Sequence, residues 1–252
     1  MPVPDEWNLE GKVALLTADQ RGWTPYLAAA LAEAGAQLAI FGDASSDANQ
    51  AYSTVIENGG SAVEIKADIT NNNDIESAIN QTVNKFGALD ILVNNAQLEF
   101  GKPFSEVSEE EWLDLMNFNV TSLFRLCKSA GKVMNENGGG RIINISSGLA
   151  VRGLWNSVPL CTAYGAVHQF TSSLALEWAH RNIRVNGIGA GWFSTDRSTA
   201  SDESELLIRY LPLRRKGHPE DLAGLLIYLS SNASDFVTGQ TIFIDGGALA
   251  HA

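Results

Sequence analysis

The feature that most constrains this chain is a regular alternation of two hydrophobic rhythms. Short, nearly continuous apolar runs lie at residues 12–17, 37–41, 62–65, 89–93, 141–145, 184–188 and 241–244. Runs this short and this apolar suit strands buried on both faces. Between them, segments at 25–35, 46–58, 74–86, 109–136, 162–180 and 219–230 carry apolar residues at helical spacing. The punctuation agrees: Pro25 stands in a first turn, and Gly35 and Gly87 follow helix ends. Parallel neighbours need crossover helices, so the alternation predicts an α/β fold, a doubly wound parallel sheet of seven strands in a single domain over 1–252. Right-handed crossovers put a ligand crevice at the carboxyl ends of the strands. No linker, repeat or low-complexity tract interrupts the pattern.

Composition narrows the class of partner. A formal charge of −12 and a pI near 4.7 argue against nucleic acid and anionic membrane surfaces. The largest basic cluster is Arg214-Arg215-Lys216. Only Cys127 and Cys161 are present, without metal-ligand spacing, so neither a disulfide framework nor a metal site is expected. The first residues lack a basic start followed by an apolar run, and no apolar stretch reaches the length of a membrane span. A cytoplasmic protein acting on a small molecule is the expectation.

Several short stretches then carry a family resemblance over nearly the whole chain. They are residues 9–17, Asp68-Ile69-Thr70, Leu92 to Ala96, Asn119, Ile143 to Ser147, Tyr164, and the tail from Gly217 through Phe236 to Gly247. In this order and spacing the chain resembles the short-chain dehydrogenase/reductase family, closest in look to its gluconate 5-dehydrogenase and 3-oxoacyl reductase branch. The resemblance implies a Rossmann-like fold, oxidoreduction between a small alcohol and a ketone with NAD or NADP, and a homotetramer or homodimer. It implies cofactor contacts at Thr17, Arg21, Gly22, Asp43, Asp68, Ile69, Asn95, Ala96, Tyr164, His168, Gly191 and Thr195, and catalytic roles for Ser147, Tyr164, His168 and Asn119.

The phosphate-binding turn departs from the family pattern. The family has Thr-Gly-x-x-x-Gly-x-Gly, because the backbone must bend tightly and lie close to a diphosphate above a helix N-terminus. Here residues 17–25 keep only Gly22, with Ala18 and Thr24 where the first and last glycines stand, and Asp19 adds a negative charge. Two readings stand side by side: a usable turn in which Arg21 helps hold a phosphate, and a helix-entry loop that binds no dinucleotide. Gln97 and Ala190 also replace the family's usual glycine and proline along this crevice. Asp43 follows the second strand, where a carboxylate accepts ribose hydroxyls and repels a 2′-phosphate, so NAD is expected over NADP. Its alternative is an ordinary turn residue, since 43–47 is turn-rich.

In the family a tyrosine exchanges a proton with the substrate oxygen, a serine holds that oxygen, and a lysine four residues after the tyrosine supplies a cation. Spacing of i, i+4 puts tyrosine and lysine on one helix face. This chain has Tyr164 and His168 at that spacing. A free tyrosine titrates near ~10, and losing a permanent cation leaves the phenolate less favoured. His168 is open to three roles: a weaker substitute for lysine, a partner in hydride-free acid–base chemistry, or a residue without catalytic part. Ser147 precedes Tyr164 by 17 residues, more than the family usually allows, with Ser146 as fallback. Residues 148–162 are expected to bulge over a substrate pocket, and Trp155, Trp192 and Phe193 either line that pocket or pack the core, the commoner place for aromatics. Residues 193–215, with Asp196, Asp202, Glu203 and Glu205, stand where the family closes over substrate; the alternative, and the safer reading for each carboxylate, is a solvated amphipathic helix. The alternative function is a family member that has lost dinucleotide binding, serving as a non-redox acid–base enzyme or a regulatory subunit.

Overall fold

A computed structural model describes residues 5–197 and 205–250. Asp202 and Glu203 lie outside the described residues. Strands β1 (Val13–Thr17), β2 (Gln37–Gly42), β3 (Ala62–Lys66), β4 (Ile91–Asn94), β5 (Gly140–Ser147), β6 (Ile183–Ala190) and β7 (Thr241–Ile244) form one parallel sheet in the order β3-β2-β1-β4-β5-β6-β7. The helices are α1 (Thr24–Glu33), α2 (Ala48–Glu57), α3 (Asn72–Phe86), α4 (Glu109–Met116), α5 (Ser122–Glu136), α6 (Val158–Trp178), α7 (Leu206–Tyr210) and α8 (Ala223–Ser230). The sheet is a single Rossmann-like domain, and its strand order reverses between β1 and β4. A crevice must open there, because the connections leave the two strands toward opposite faces.

The five inner strands, β2, β1, β4, β5 and β6, are buried on both sides because alternate residues feed two cores, while the edge strands β3 and β7 are only partly covered. Ala14, Leu16, Leu38, Ile40, Ile143 and Ile188 pack with Leu27 and Leu31 of α1 and Leu226 of α8. Their neighbours Leu15, Phe41, Leu92, Ile142 and Val185 pack against Ile75 and Ile79 of α3 and Leu126 and Met134 of α5. Burial on both faces is why the strands read as continuous apolar runs rather than alternating ones.

Helix ends follow local chemistry. Asn71 caps α3 by accepting the Asn73 and Asp74 N–H groups, and Gly87 closes it at φ 86°. Ser108 and Glu111 form a reciprocal capping box on α4. The single long helix expected over 109–136 is instead two helices joined by a π-helical turn, Asn117–Thr121, which carries Asn119. The helix expected at 162 begins earlier, at Val158, because Pro159 suits a first turn that lacks an N–H partner.

Candidate functional site

The turn after β1 is built around Asp19. This carboxylate is 3% exposed. It accepts the Arg21 N–H at 2.9 Å, Arg21 Nε at 2.6 Å and the Gln97 N–H at 3.2 Å. The guanidinium thereby turns into the crevice. It also donates from Nη1 to Gln97 Oε1 at 2.9 Å and from Nη2 to the Asn95 carbonyl at 2.7 Å, and it lies 3.9 Å from the Trp23 ring. Gly22 adopts φ +77°, the left-handed region that a side chain disfavours, and a Cβ there would meet Thr195 at 3.4 Å. Thr17 is fully buried and accepts the Asn95 and Ala96 N–H groups at 2.9 Å, tying β1 to the residues after β4.

At the entrance of α1, Asp47 accepts the Thr24 N–H at 3.0 Å while its other oxygen is buried without a partner. Burial raises the Asp47 carboxyl to about 6, and the Asp19 charge adds to the rise.

A cavity of about 380 Å³ extends from this turn past Asp43, Ser46, Ile69 and Phe118. Asp43 is exposed, and one of its oxygens accepts Ser45 N–H, Ser45 Oγ and Ser46 N–H, so it closes its own turn while lining the cavity. Asp68 closes its own turn in the same way through Thr70 but is not among the residues lining the cavity, whereas Ile69 is.

On the other side a second cavity, also about 380 Å³, is lined by Ser146, Ser147, Tyr164, Arg152, Gly191 and Trp192 among others. Ser146 Oγ is buried without a hydrogen-bond partner. Ser147 Oγ accepts the Leu149 N–H at 3.2 Å and keeps its own proton to donate. Gly191 passes so close to Asp245 that a Cβ would lie 2.6 Å from its Cα. Arg152 donates to Tyr210 Oη and lies over its ring at 4.9 Å. Residues 148–157 do wall this cavity through Leu149, Arg152, Leu154 and Ser157, and Phe193 joins Trp192 there. Trp155 does not: it is 87% exposed, because the loop turns it outward at Asn156 (φ 59°). Glu205 pairs with Lys216 at 2.8 Å, away from the cavity lining.

Tyr164 is buried, and its hydroxyl donates to Gln97 Oε1 at 2.9 Å. Burial pushes the phenol up to about 12, against the opposing charge of Arg21. Asn119 reaches neither Tyr164 nor a serine; its amide clamps the Leu98 backbone, accepting the N–H at 2.7 Å and donating to the carbonyl at 2.9 Å. His168 is not brought to the cavity; it faces Phe243, and Nδ1 is buried without a partner. The sequence reading missed the tie between Gln97 and Tyr164 and the place of Arg152. The signal for the first was present, a long amide where the family has glycine.

A two-sided parallel sheet, a crevice at its switch point and a buried tyrosine beside two serines define a Rossmann-type oxidoreductase of the short-chain class. The family model described as enoyl-(acyl carrier protein) reductase matches residues 17–248. The chain is 35% identical over 249 residues to 5-keto-D-gluconate 5-reductase of Escherichia coli, covering 97% of this chain and 98% of that protein. It is 33% identical to 3-oxoacyl-[acyl-carrier-protein] reductase of Synechocystis, covering 95% and 97%. Among solved structures, a gluconate 5-dehydrogenase from Burkholderia cenocepacia in complex with NADP and tartrate matches at 32% identity and TM-score 0.89, covering 98% of this chain and 99% of that one. The chain belongs to the short-chain dehydrogenase/reductase family and is an oxidoreductase of its NAD(P)-dependent kind.

The residues present fit such a cofactor at both ends of the crevice. The Asp43 side offers a carboxylate with Ile69 beside it, and on the other side Ser147, Tyr164 and Gly191 line the second cavity. Among the described residues, no group of three or more His, Cys, Asp or Glu is placed to hold a metal, and no helix is long and apolar enough to cross a membrane.

Proposed function

We propose that this enzyme interconverts a small polyhydroxy carboxylate and its keto acid. The observation that carries the reading is the convergence of Ser146, Ser147 and Tyr164 on one cavity that Arg152 also lines. Hydroxyls suit a carbonyl or alcohol oxygen, and a guanidinium suits a carboxylate bidentately. Two of the relatives, 5-keto-D-gluconate 5-reductase and 2-dehydro-3-deoxy-D-gluconate 5-dehydrogenase, are named for substrates of that class. Bound nicotinamide dinucleotide supplies or accepts the hydride. In the reducing direction Tyr164 gives its proton to the substrate oxygen while Ser147 donates a hydrogen bond to the same oxygen. Asn119 supports the site indirectly, fixing Leu98 beside Gln97. Thr17, Asn95 and Ala96 hold the floor of the crevice, and Gly22 and Thr195 shape its rim.

The cofactor is NAD. Asp43 faces the adenosine side, and among the described lining residues of that cavity Arg21 is the one cation, with its guanidinium directed inward. A 2′-phosphate finds a carboxylate there rather than a partner. The enzyme is cytoplasmic, in keeping with two unpaired cysteines, and it assembles as a homotetramer or homodimer. Leu113 on α4, Phe124 on α5, Leu176 on α6 and Ile242 on β7 are the exposed apolar residues that such assembly covers. Light scattering checks the assembly.

The decisive experiment is a calorimetric titration with NADH and NADPH, followed by reduction of 5-keto-D-gluconate monitored by NADH consumption. Tighter binding of NADH and turnover of the keto acid are expected. Binding of neither dinucleotide would overturn the reading.

A further inference from the structure

The linings of the two cavities share Arg21, Gln97 and Glu99 among the described residues. A dinucleotide that reads Asp43 at one end and reaches Tyr164 at the other must pass where Arg21 meets Gln97. A ring of three hydrogen-bonded residues stands at that junction. Asp19 holds Arg21 Nε at 2.6 Å and the Gln97 N–H at 3.2 Å, and Arg21 Nη1 donates to Gln97 Oε1 at 2.9 Å. Gln97 is fixed further by donation from Nε2 to the Ile145 carbonyl. The Arg21 side chain is 10% exposed, with every guanidinium nitrogen engaged.

The same amide oxygen accepts the Tyr164 proton at 2.9 Å. In this arrangement the phenol gives its hydrogen to Gln97 rather than to a substrate. Opening the ring therefore does two things at once: it clears the passage, and it releases the Tyr164 hydroxyl. What opens it must offer Arg21 something in exchange for the Asp19 carboxylate. The diphosphate of a dinucleotide is an anion that meets this need, since guanidinium pairs with phosphate oxygens as it does with carboxylate.

The geometry points to Gln97, with Arg21 as its positioning partner, as the residue that sets dinucleotide affinity and holds Tyr164 out of the reaction until the cofactor arrives. This rests on the oxidoreductase reading above. It also accounts for a glutamine, at a position where the family usually has glycine, being bonded to the tyrosine expected to react.

The test compares the full-length protein with Gln97→Gly and Gln97→Ala by calorimetric titration with NADH, NADPH and adenosine. Both variants are expected to bind the preferred dinucleotide at least about tenfold more tightly than the parent, which corresponds to ~1.4 kcal/mol. Adenosine, which fits on the Asp43 side of the ring, is expected to bind all three proteins within about twofold. A gain in affinity cannot come from a damaged fold, and the alanine variant serves if the glycine variant does not fold. Dinucleotide affinities within about twofold across the three proteins would overturn the clasp and leave the oxidoreductase reading standing. An equal gain for adenosine would overturn it too, by placing the effect in the adenosine half. Should none of the three bind either dinucleotide, the oxidoreductase reading falls and takes the clasp with it.

Discussion

The His168 imidazole lies nearly parallel to the Phe243 ring, with 6.3 Å between centroids and 24° between planes, and its buried Nδ1 has no hydrogen-bond partner. The helical spacing from Tyr164 is kept, yet the shorter side chain stops against β7 instead of reaching the crevice. The cation that acts on Tyr164 here is Arg21, arriving from the turn after β1.

His168→Ala is expected to change ketone reduction by less than about twofold, because the ring touches no group that reacts. His168→Lys is expected to raise it by about tenfold and to move the alkaline limb of the pH–rate profile to lower pH, since an added cation favours the phenolate. Initial rates of the two variants from pH 6 to 10 check this; a larger loss in the alanine variant would restore a catalytic role to His168.

Tyr164→Phe is expected to lower turnover by about 10²–10⁴-fold with little change in dinucleotide affinity, as loss of a positioned proton donor does. With the phenol raised to about 12 by burial, it stays protonated through the physiological range. Reduction, which needs the proton, is then flat with pH. Alcohol oxidation, which needs the phenolate, climbs steadily as pH rises toward that value. Paired pH profiles in the two directions measure it.

Asp47 offers a stability test. Its folded-state value, about 6, is above the ordinary carboxylate range, because burial and the Asp19 charge disfavour the carboxylate. A raised value means that its contribution to stability is fully present below the unfolded pKa and is lost as pH rises through about 6. Asp47→Asn keeps an acceptor for the Thr24 N–H and removes the charge. The melting temperature at pH 7 is expected to rise by roughly 2–4 °C, the effect of about 1 kcal/mol in a chain of this size, with the gain vanishing near pH 4. Scanning calorimetry at the two pH values reads both.

Asn94 Nδ2 donates to Asn144 Oδ1 at 2.8 Å, and Asn144 Nδ2 donates to Thr171 Oγ1 at 2.9 Å, a buried polar chain from β4 through β5 to α6. Asn144→Ala strips partners from both neighbours at a fully buried position. The expected cost is about 2–4 kcal/mol, one to two unsatisfied buried groups. Denaturant unfolding measures it, and a cost below about 0.5 kcal/mol, the level of an ordinary surface change, would show that Cys127 or other groups compensate.

Much of the architecture is legible in the residues because local patterns report burial directly. The strand at 241–244 is found at those bounds, and Gly87 and Pro25 mark helix boundaries through φ and a missing N–H, both local properties. The π turn at Asn117–Thr121 was not legible, since its residues continue a helical pattern and only packing against α6 and the crevice selects the extra residue per turn. Trp155 reads by type as a core or pocket residue, yet it is 87% exposed beside the left-handed turn at Asn156.

What the sequence by itself determined is the seven strands and the helical segments between them in outline, the missing glycines at 18, 24 and 97, and the absence of lysine at 168, because each depends on a residue's own conformational range or charge. What only the tertiary structure decided is where Arg21 points. Its guanidinium could have faced solvent or a phosphate, and it lies against Asp19, Gln97 and Trp23 because folding brings the end of β4 within 3 Å of the turn after β1. Residues 76 positions apart in the chain meet there, and contacts of that separation leave no trace in local pattern.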